Sequence, residues 1–375
     1  MNIQMVDLKG QYARIKQEID TALLNAVSDA EYINGSEVKA FQKDLENYTG
    51  SAHVISCGNG TDALQISLMA LELKPGDEVI VPAFTYAAAA EVIGLLRLTP
   101  VIVDVSIESF NLTLENIEKG LSSKTKAIIP VHLFGQSCDM ESIINFAEAH
   151  NLYIIEDNAQ AIGAYCLFSD GSIKQAGTIG HIGCTSFFPS KNLGCFGDGG
   201  AMMTDNEILA KKLSMISRHG QSIKYHHEIL GCNSRLDTIQ AAILRVKLKY
   251  LNQFCEARQE AARRYNVLLQ DLEEIVLPQK MPYSTHVYHQ YTIQLKDHGK
   301  RDKLKAFLQD KGIPSMIYYP LPLQKHAAFK TITRRAEDLK NATSLSSSVL
   351  SLPIHTELQE NEQIYITEQI KKFFL

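Results

Sequence analysis

The sequence has no surplus of positive charge. Its 37 Lys and Arg are outnumbered by 42 Asp and Glu, for a net charge of −5. A nucleic-acid-binding domain is normally basic, so nucleic acid is not an expected partner, and any anionic ligand must meet a local cluster of donors. Paired cysteine motifs are also missing. Cys57, Cys138, Cys166, Cys184, Cys195, Cys232 and Cys255 are odd in number and scattered, with no C-x-x-C among them. That pattern predicts a reduced, cytoplasmic protein with neither a disulfide frame nor a structural zinc site. The first eleven residues are polar and lack the apolar core of a signal peptide. The richest apolar stretch, Ala87 to Val105, is broken by Glu91, Arg97, Pro100 and Asp104, so it does not read as a membrane span. No internal repeat or low-complexity tract is visible.

What remains is the balance of an ordinary globular chain. There are 375 residues, 45% hydrophobic and 21% charged, enough for two packed domains and too apolar for global disorder. Between residues 52 and 205, short apolar runs alternate with helical stretches. The runs are His53–Cys57, Glu78–Pro82, Pro100–Val105, Ala127–Val131 and Tyr153–Ile155; Thr61–Leu71 and Met140–His150 read as helices, the second with Asp139 as N-cap. This alternation predicts an α/β fold with a mostly parallel sheet. A helical pattern then starts at Asn233 or Ser234 and runs through Phe254, with Ser234-Arg235-Leu236-Asp237 in the form of a capping box. Tyr291–Leu295 and Ser315–Tyr319 read as strands and Asp302–Asp310 as a helix. The expected division is a large domain over residues 1–250 and a smaller α+β domain over 251–375.

Gly58-Asn59-Gly60-Thr61-Asp62-Ala63 fits G-x-G-x-x-A, the dinucleotide fingerprint, and Asp77 follows about twenty residues on. The acid of that fingerprint sits at the carboxyl end of the second strand. Asp77 precedes its strand instead, which argues against a dehydrogenase. The more general reading is an anion site at a helix N-terminus, to which Thr61 can add a hydroxyl; a tight turn without a ligand is the plainer alternative.

Three further segments lie at strand ends, where open α/β sheets bind ligands. Tyr153 to Asp157 ends in two acids, Glu156 and Asp157, which point to opposite faces of the strand, so only one can face a given ligand. In Ser186-Phe187-Phe188-Pro189-Ser190-Lys191, a lysine sits between aromatics and the glycine-rich turn Gly197 to Gly200. Desolvation there would lower its pKa and free the amine to attack a carbonyl. Pro82 to Tyr86 brings aromatics to another strand end. Separately these segments read as a helix cap, a surface lysine and core packing. Together they offer a phosphate cradle, a ring cover, an acid for a ring N–H and an imine-forming lysine, which is what pyridoxal phosphate (PLP) requires.

With these motifs in place, the sequence resembles the PLP-dependent sugar aminotransferases of the DegT family, of aspartate-aminotransferase-like fold type I. The likeness runs from Val6-Asp7-Leu8 through Ser56 to Leu64, Pro75 to Ile80, Glu156 to Gln160, Ser186 to Gly200, Arg218-His219-Gly220 and Asn233 to Asp237. Within the family it is similar to transaminases acting on UDP-2-acetamido-2-deoxy-3-oxo-glucuronic acid, a likeness carried by Phe187 to Lys191, Tyr225-His226-His227 and Asn233 to Leu244. The resemblance implies Lys191 as the imine lysine, Asp157 as the pyridinium partner, Gln160 on the ring hydroxyl and Tyr86 stacked on the ring. Gly60, Thr61 and Ser186 would hold the phosphate, and Asn233 would reach the phosphate of the neighbouring subunit, implying a homodimer with shared active sites. Arg235 and Tyr319 would contact the nucleotide sugar, with Arg218, His219 and Tyr318 nearby. Glutamate is the implied amino donor. Asn158 stands where the family usually has Ala, and Tyr318-Tyr319 stands where the similar transaminases carry His-Tyr.

Three alternatives stay open. A thymidine-linked 3-oxo-6-deoxy sugar is the nearest other substrate, and a non-catalytic sensor of cofactor or sugar is a second. A dehydrase on the same fold typically replaces the imine lysine, and Lys191 is present. His226-His227 read as structural or solvent-facing, and His286 with His289 lacks a third ligand motif for a metal.

Overall fold

All five apolar runs between residues 53 and 157 become strands of one sheet. The computed structural model describes residues 3–335 and 339–375. Its main sheet has eight strands in the order His53–Cys57, Gly200–Thr204, Ile182–Ser186, Tyr153–Asp157, Thr125–Ile128, Glu78–Pro82, Thr99–Val103 and Arg334–Arg335. Gly200–Thr204 runs antiparallel to both its neighbours, and every other pairing is parallel. Apart from the edge pair Arg334–Arg335, the strands are buried along almost their whole length, as expected for a sheet with helices on both faces. One core cluster forms on each face, around Ile66, Val79, Val81 and Ile155 on one side and Phe41, Ile80, Ile154 and Phe187 on the other.

Two runs end earlier than their apolar pattern suggests. Thr99–Val103 stops because Asp104 turns to accept the Asn341 and Ala342 N–H groups at 2.8 Å, capping the helix Lys340–Ser348. Thr125–Ile128 stops before Pro130, which has no N–H to give a ladder. The helices Gly60–Ala70 and Met140–His150 form as expected, capped by Asn59 and by Asp139, whose carboxylate accepts the Ser142 N–H at 3.3 Å.

The helix expected from Asn233 begins only at Thr238, and the capping box is absent. The Ser234 hydroxyl is already engaged: it accepts the Gly58 N–H at 2.8 Å and donates to Asp62 Oδ2 at 2.6 Å. The helix Thr238–Leu248 then ends, and a second, Leu251–Leu269, carries the pattern onward. The expected strand Ser315–Tyr319 is also absent. Flanked by Pro314 and Pro320, that segment keeps a single antiparallel bridge, Met316 with Ser351.

A second, antiparallel sheet joins Ile275–Val276, Tyr291–Leu295 and Val349–Leu352. The helices Leu251–Leu269, Arg301–Asp310 and Glu360–Phe374 cover it, around a core of Tyr265, Tyr291, Leu304, Leu350 and Ile366. Ile3 joins this core from the start of the chain, whereas Leu323, Phe329 and Leu345 pack into the core of the main sheet. Among the described residues no helix is long and apolar enough to cross a membrane.

Candidate active site

The carboxyl edge of the main sheet gathers one group of the candidate residues. Gly200 pairs with both Cys57 and Ser186, so the Gly58–Gly60 turn and the end of the Ser186 strand meet across it. The approach is close enough to demand glycine. A Cβ at Gly60 would lie 2.7 Å from Ser186 Cβ, and one at Gly200 would lie 2.5 Å from the Asn59 carbonyl carbon. Asn59 Oδ1 accepts the Asp62 N–H at 2.8 Å. The Gly60 and Thr61 N–H groups belong to the first turn, where no intrahelical acceptor exists, and the Gly60 backbone lies against Ser186. Such free N–H groups, with the positive end of a helix dipole behind them, form a site that could hold an anion such as a phosphate. Gly60→Ala is expected to disturb it by forcing Ser186 aside, at about 1–3 kcal/mol, and to weaken cofactor retention in a dialysis assay; unchanged retention would place the phosphate elsewhere.

The two acids after Ile155 face opposite ways, as the strand alternation predicts. Glu156 is fully buried and accepts from His132 Nε2 at 2.8 Å, from Gly177 N at 2.7 Å, and from Ile179 N and Gly180 N at 2.6 Å. Burial pushes its pKa up, but the His132 contact and these N–H groups prevail and hold it below the usual carboxylate range. His132 Nδ1 accepts the Cys138 N–H, so Nε2 is the nitrogen that donates to Glu156. Glu156 is thus spent on structure, and Asp157 is the acid that remains for a ligand. Its Oδ1 accepts the Ala159 N–H at 3.1 Å. Burial raises its pKa, against the pull of that N–H and of the Lys191 ammonium.

Lys191 lies in the loop after Ser186, half-buried, with its N–H donated to Phe188 O at 2.8 Å. Desolvation lowers its pKa to about 8, partly countered by Asp157. Near neutrality an amine with that pKa carries a far larger neutral fraction than an ordinary lysine, and the neutral form is the nucleophile and base.

Aromatic rings close the other side. Phe134 packs edge-to-face on Phe84 and Phe110, which are tilted against each other, and Tyr319 packs 6.0 Å from Phe84. Tyr86 is 61% exposed, with its ring 6.3 Å from that of Tyr319, so it has a face to offer a planar ligand. Gln160 bridges the groups: its Oε1 accepts the Phe134 N–H at 2.8 Å and its Nε2 donates to the Tyr319 hydroxyl at 3.0 Å. Tyr318 stacks edge-on to Tyr319 at 5.9 Å.

Arg218, His219, Asn233 and Arg235 form a separate group. Arg218 and Asn233 are paired by an antiparallel bridge, and His219 N donates to Cys232 O. Arg218 and Arg235 line a cavity of about 120 Å³ with Lys39, Gln42 and Ser56, on the side of the edge strand His53–Cys57. Arg218, His219 and Asn233 are exposed. Among the described residues no hydrogen bond or ring contact joins these four to Lys191, Asp157 or Gln160. His226 and His227 are exposed in a short hairpin, and His286 stacks on Tyr288 with its pKa pushed down to about 3 by burial.

The DegT/DnrJ/EryC1/StrS aminotransferase family profile matches residues 13–371. The chain belongs to that family. Three similar proteins match nearly end to end. A pleiotropic regulatory protein of Geobacillus stearothermophilus is 43% identical, covering 100% of this chain and 99% of its own. A UDP-N-acetyl-3-dehydro-α-D-glucosamine 3-aminotransferase of Acidithiobacillus ferrooxidans is 42% identical over 99% and 97%. A UDP-2-acetamido-2-deoxy-3-oxo-D-glucuronate aminotransferase of Pseudomonas aeruginosa is 41% identical over 95% and 96%. A dTDP-3-amino-3,4,6-trideoxy-α-D-glucose transaminase of Streptomyces venezuelae also matches, at 34% over 99% and 96%. Among solved structures, a family aminotransferase from Brucella abortus superposes with a TM-score of 0.93 at 43% identity, covering 99% of each chain. NtdA of Bacillus subtilis, determined with the aminated cofactor PMP bound, gives 0.86 at 32% identity over 95% of this chain and 81% of that one. Fold type I, aminotransferase chemistry and PLP dependence follow from family membership. The residues present fit that cofactor: a buried carboxylate of raised pKa can hold a ring N–H, a nucleophilic amine lies within its field, and a glycine-lined cradle can take a phosphate.

Proposed function

We propose that this enzyme transfers an amino group from glutamate to the 3-oxo group of a UDP-linked sugar, UDP-2-acetamido-2-deoxy-3-oxo-glucuronic acid. The observation that carries the site assignment is the placement of Lys191 and Asp157 at one sheet edge, each shifting the other's pKa. The substrate assignment is supported by the relatives at 42% and 41% identity, both named for UDP-linked 3-oxo sugars. The relative named for a thymidine-linked sugar, at 34%, favours dTDP-3-oxo-6-deoxyhexose as the second reading.

When bound, PLP supplies an aldehyde to carry the amino group and a protonated ring that takes up electrons from the substrate carbon. In this assignment Lys191 holds the cofactor, and Asp157 keeps the ring nitrogen protonated. Gly60, Thr61 and Ser186 anchor the phosphate while Tyr86 covers the ring. Gln160, whose amide donates to the Tyr319 hydroxyl, would give a donor to the ring hydroxyl. With the amino donor in its place, the Lys191 amine would be the group that moves a proton between the donor's Cα and the cofactor's C4′ carbon. Water would supply the carbonyl oxygen of the departing 2-oxo acid while the nitrogen stays on the cofactor, and the same amine would serve in the opposite direction at the sugar's C3. Two half-reactions that each leave the cofactor changed give ping-pong kinetics.

Anionic substrate must be held by an acidic chain. Arg235 suits a diphosphate through its forked donors, with Tyr319, Tyr318, Arg218 and His219 as the other candidate contacts. Asn233 is exposed next to Ser234, which is tied to the Gly58 turn, so it is available to a second subunit. If homodimers share their sites, N233A weakens retention of the partner's cofactor. Inactive K191A and N233A proteins, unfolded together and refolded, then recover activity in the mixed dimer; no recovery at any mixing ratio would refute sharing. The substrate is tested by offering UDP- and dTDP-linked 3-oxo sugars side by side to the aminated enzyme. Faster conversion of the dTDP sugar would install the second reading.

A further inference from the structure

Lys247 is a charged side chain for which the proposed reaction has no use. It is 2% exposed on the helix Thr238–Leu248, and among the described residues no carboxylate pairs with it. Burying an ammonium without an anion is costly, so such a group calls for an account of what it holds. Its Nζ donates to the Gly194 carbonyl at 2.7 Å and lies 4.8 Å from the centre of the Phe196 ring. Both residues belong to the loop that carries Lys191.

The loop has a defined base. Cys195 N donates to Phe187 O at 2.8 Å, and Phe187 N donates to Gly199 O at 2.7 Å. Lys191 sits at the turn between them. Gly194 doubles back so tightly that a Cβ there would fall 2.4 Å from Pro189 O. Holding the Gly194 carbonyl therefore fixes the return limb directly against the limb that leads to Lys191. The same helix grips the loop a second time, since Gln240 Oε1 accepts the Phe196 N–H at 2.8 Å. Burial lowers the Lys247 pKa to about 8, against the pull of Cys195; the carbonyl and the ring are what it has to stabilise its charge.

We propose that Lys247 is the positioning residue for Lys191: through the Gly194 carbonyl it sets where the loop presents the reactive amine. The proposal rests on the assignment of Lys191 as the cofactor lysine. Lys247→Met keeps the length and apolar contacts of the side chain and removes its donors. Lys247→Arg keeps the charge and the donors.

The test mixes each cofactor-free protein with PLP, traps the adduct with borohydride and maps the label to its peptide over time. Label absent from Lys191 in the unaltered enzyme would sink the cofactor assignment itself. With that label present, K247M is expected to acquire it about tenfold more slowly, the effect of one lost charged hydrogen bond. K247M should also lose kcat by a similar factor with little change in KM for the amino donor, and K247R should regain most of both. Labelling of K247M at the unaltered rate, or no recovery in K247R, would overturn the proposal. So would the loss of a cooperative melt in K247M, because the ammonium would then serve the whole fold and not the loop.

Discussion

Replacing Lys191 with Ala is expected to abolish turnover and, with it, the chromophore that borohydride reduces on the protein. The size of the effect follows from two roles falling on one amine. As the group that holds the cofactor it supplies covalent catalysis, and as acid and base it moves the proton at both carbons, a role that by itself contributes on the order of 10² to 10⁴ in rate. The structure adds a pH dependence. Lys191 titrates near 8 because burial disfavours its ammonium. The neutral amine is the form that attacks the aldehyde, so cofactor addition to the apoprotein is expected to speed up with rising pH and level off above about 8. Undiminished transamination by K191A, or hydride label on another lysine, would refute the assignment.

Much of the fold was legible because parallel strands covered on both sides must be apolar along their length, and those runs stand out between the helices. What was not legible depended on partners distant in sequence. The Ser234-Arg235-Leu236-Asp237 pattern has the residue types of a capping box, yet the Ser234 hydroxyl bonds Gly58 and Asp62, more than 170 positions away. Local pattern gave no means of weighing that competing contact. The shortened ends at Val103 and Ile128 have the same origin: a carboxylate drawn off to a helix near residue 341, and a proline that withholds its donor.

At the site, strand alternation required that Glu156 and Asp157 diverge but could not say which one faced a ligand. The answer came from His132 and the Gly177–Gly180 turn, which engage Glu156 completely. His132 carried no sequence signal, since a single histidine after an apolar run looks like many others. Asn59 was in principle readable, being an Asn placed immediately before a helix. Lys247 was not: it interrupts an apolar helical stripe in the manner of a solvent-facing lysine, and only the packing of the helix against the Gly194 loop buries it.

Asp157→Asn is the second large effect, expected to cost roughly 10³-fold or more in kcat, about 4 kcal/mol. The amide is nearly isosteric, so packing around the buried side chain is retained, but its charge is gone. Without an adjacent anion the ring nitrogen of the cofactor is not held protonated near neutral pH, and the electron sink that makes the Cα proton removable is lost. A loss below tenfold, about 1.4 kcal/mol, would show that another group partners the ring. Two further readouts separate this from general damage. In the cofactor-free protein, Asp157 pulls the Lys191 pKa upward, so D157N is expected to move the Lys191 titration below its present value of about 8 while leaving the lysine open to hydride-trapped labelling. Glu156→Gln supplies the contrast. Its carboxylate faces the His132 side and is held below the usual range in the fold, so it stabilises the native state at pH values above the unfolded carboxylate pKa, and that stability fades as pH falls through the folded one. E156Q should therefore lower the melting temperature at neutral pH, with a smaller loss of kcat than D157N. If instead E156Q lost more activity than D157N while keeping its stability, the assignment of the two acids would have to be exchanged.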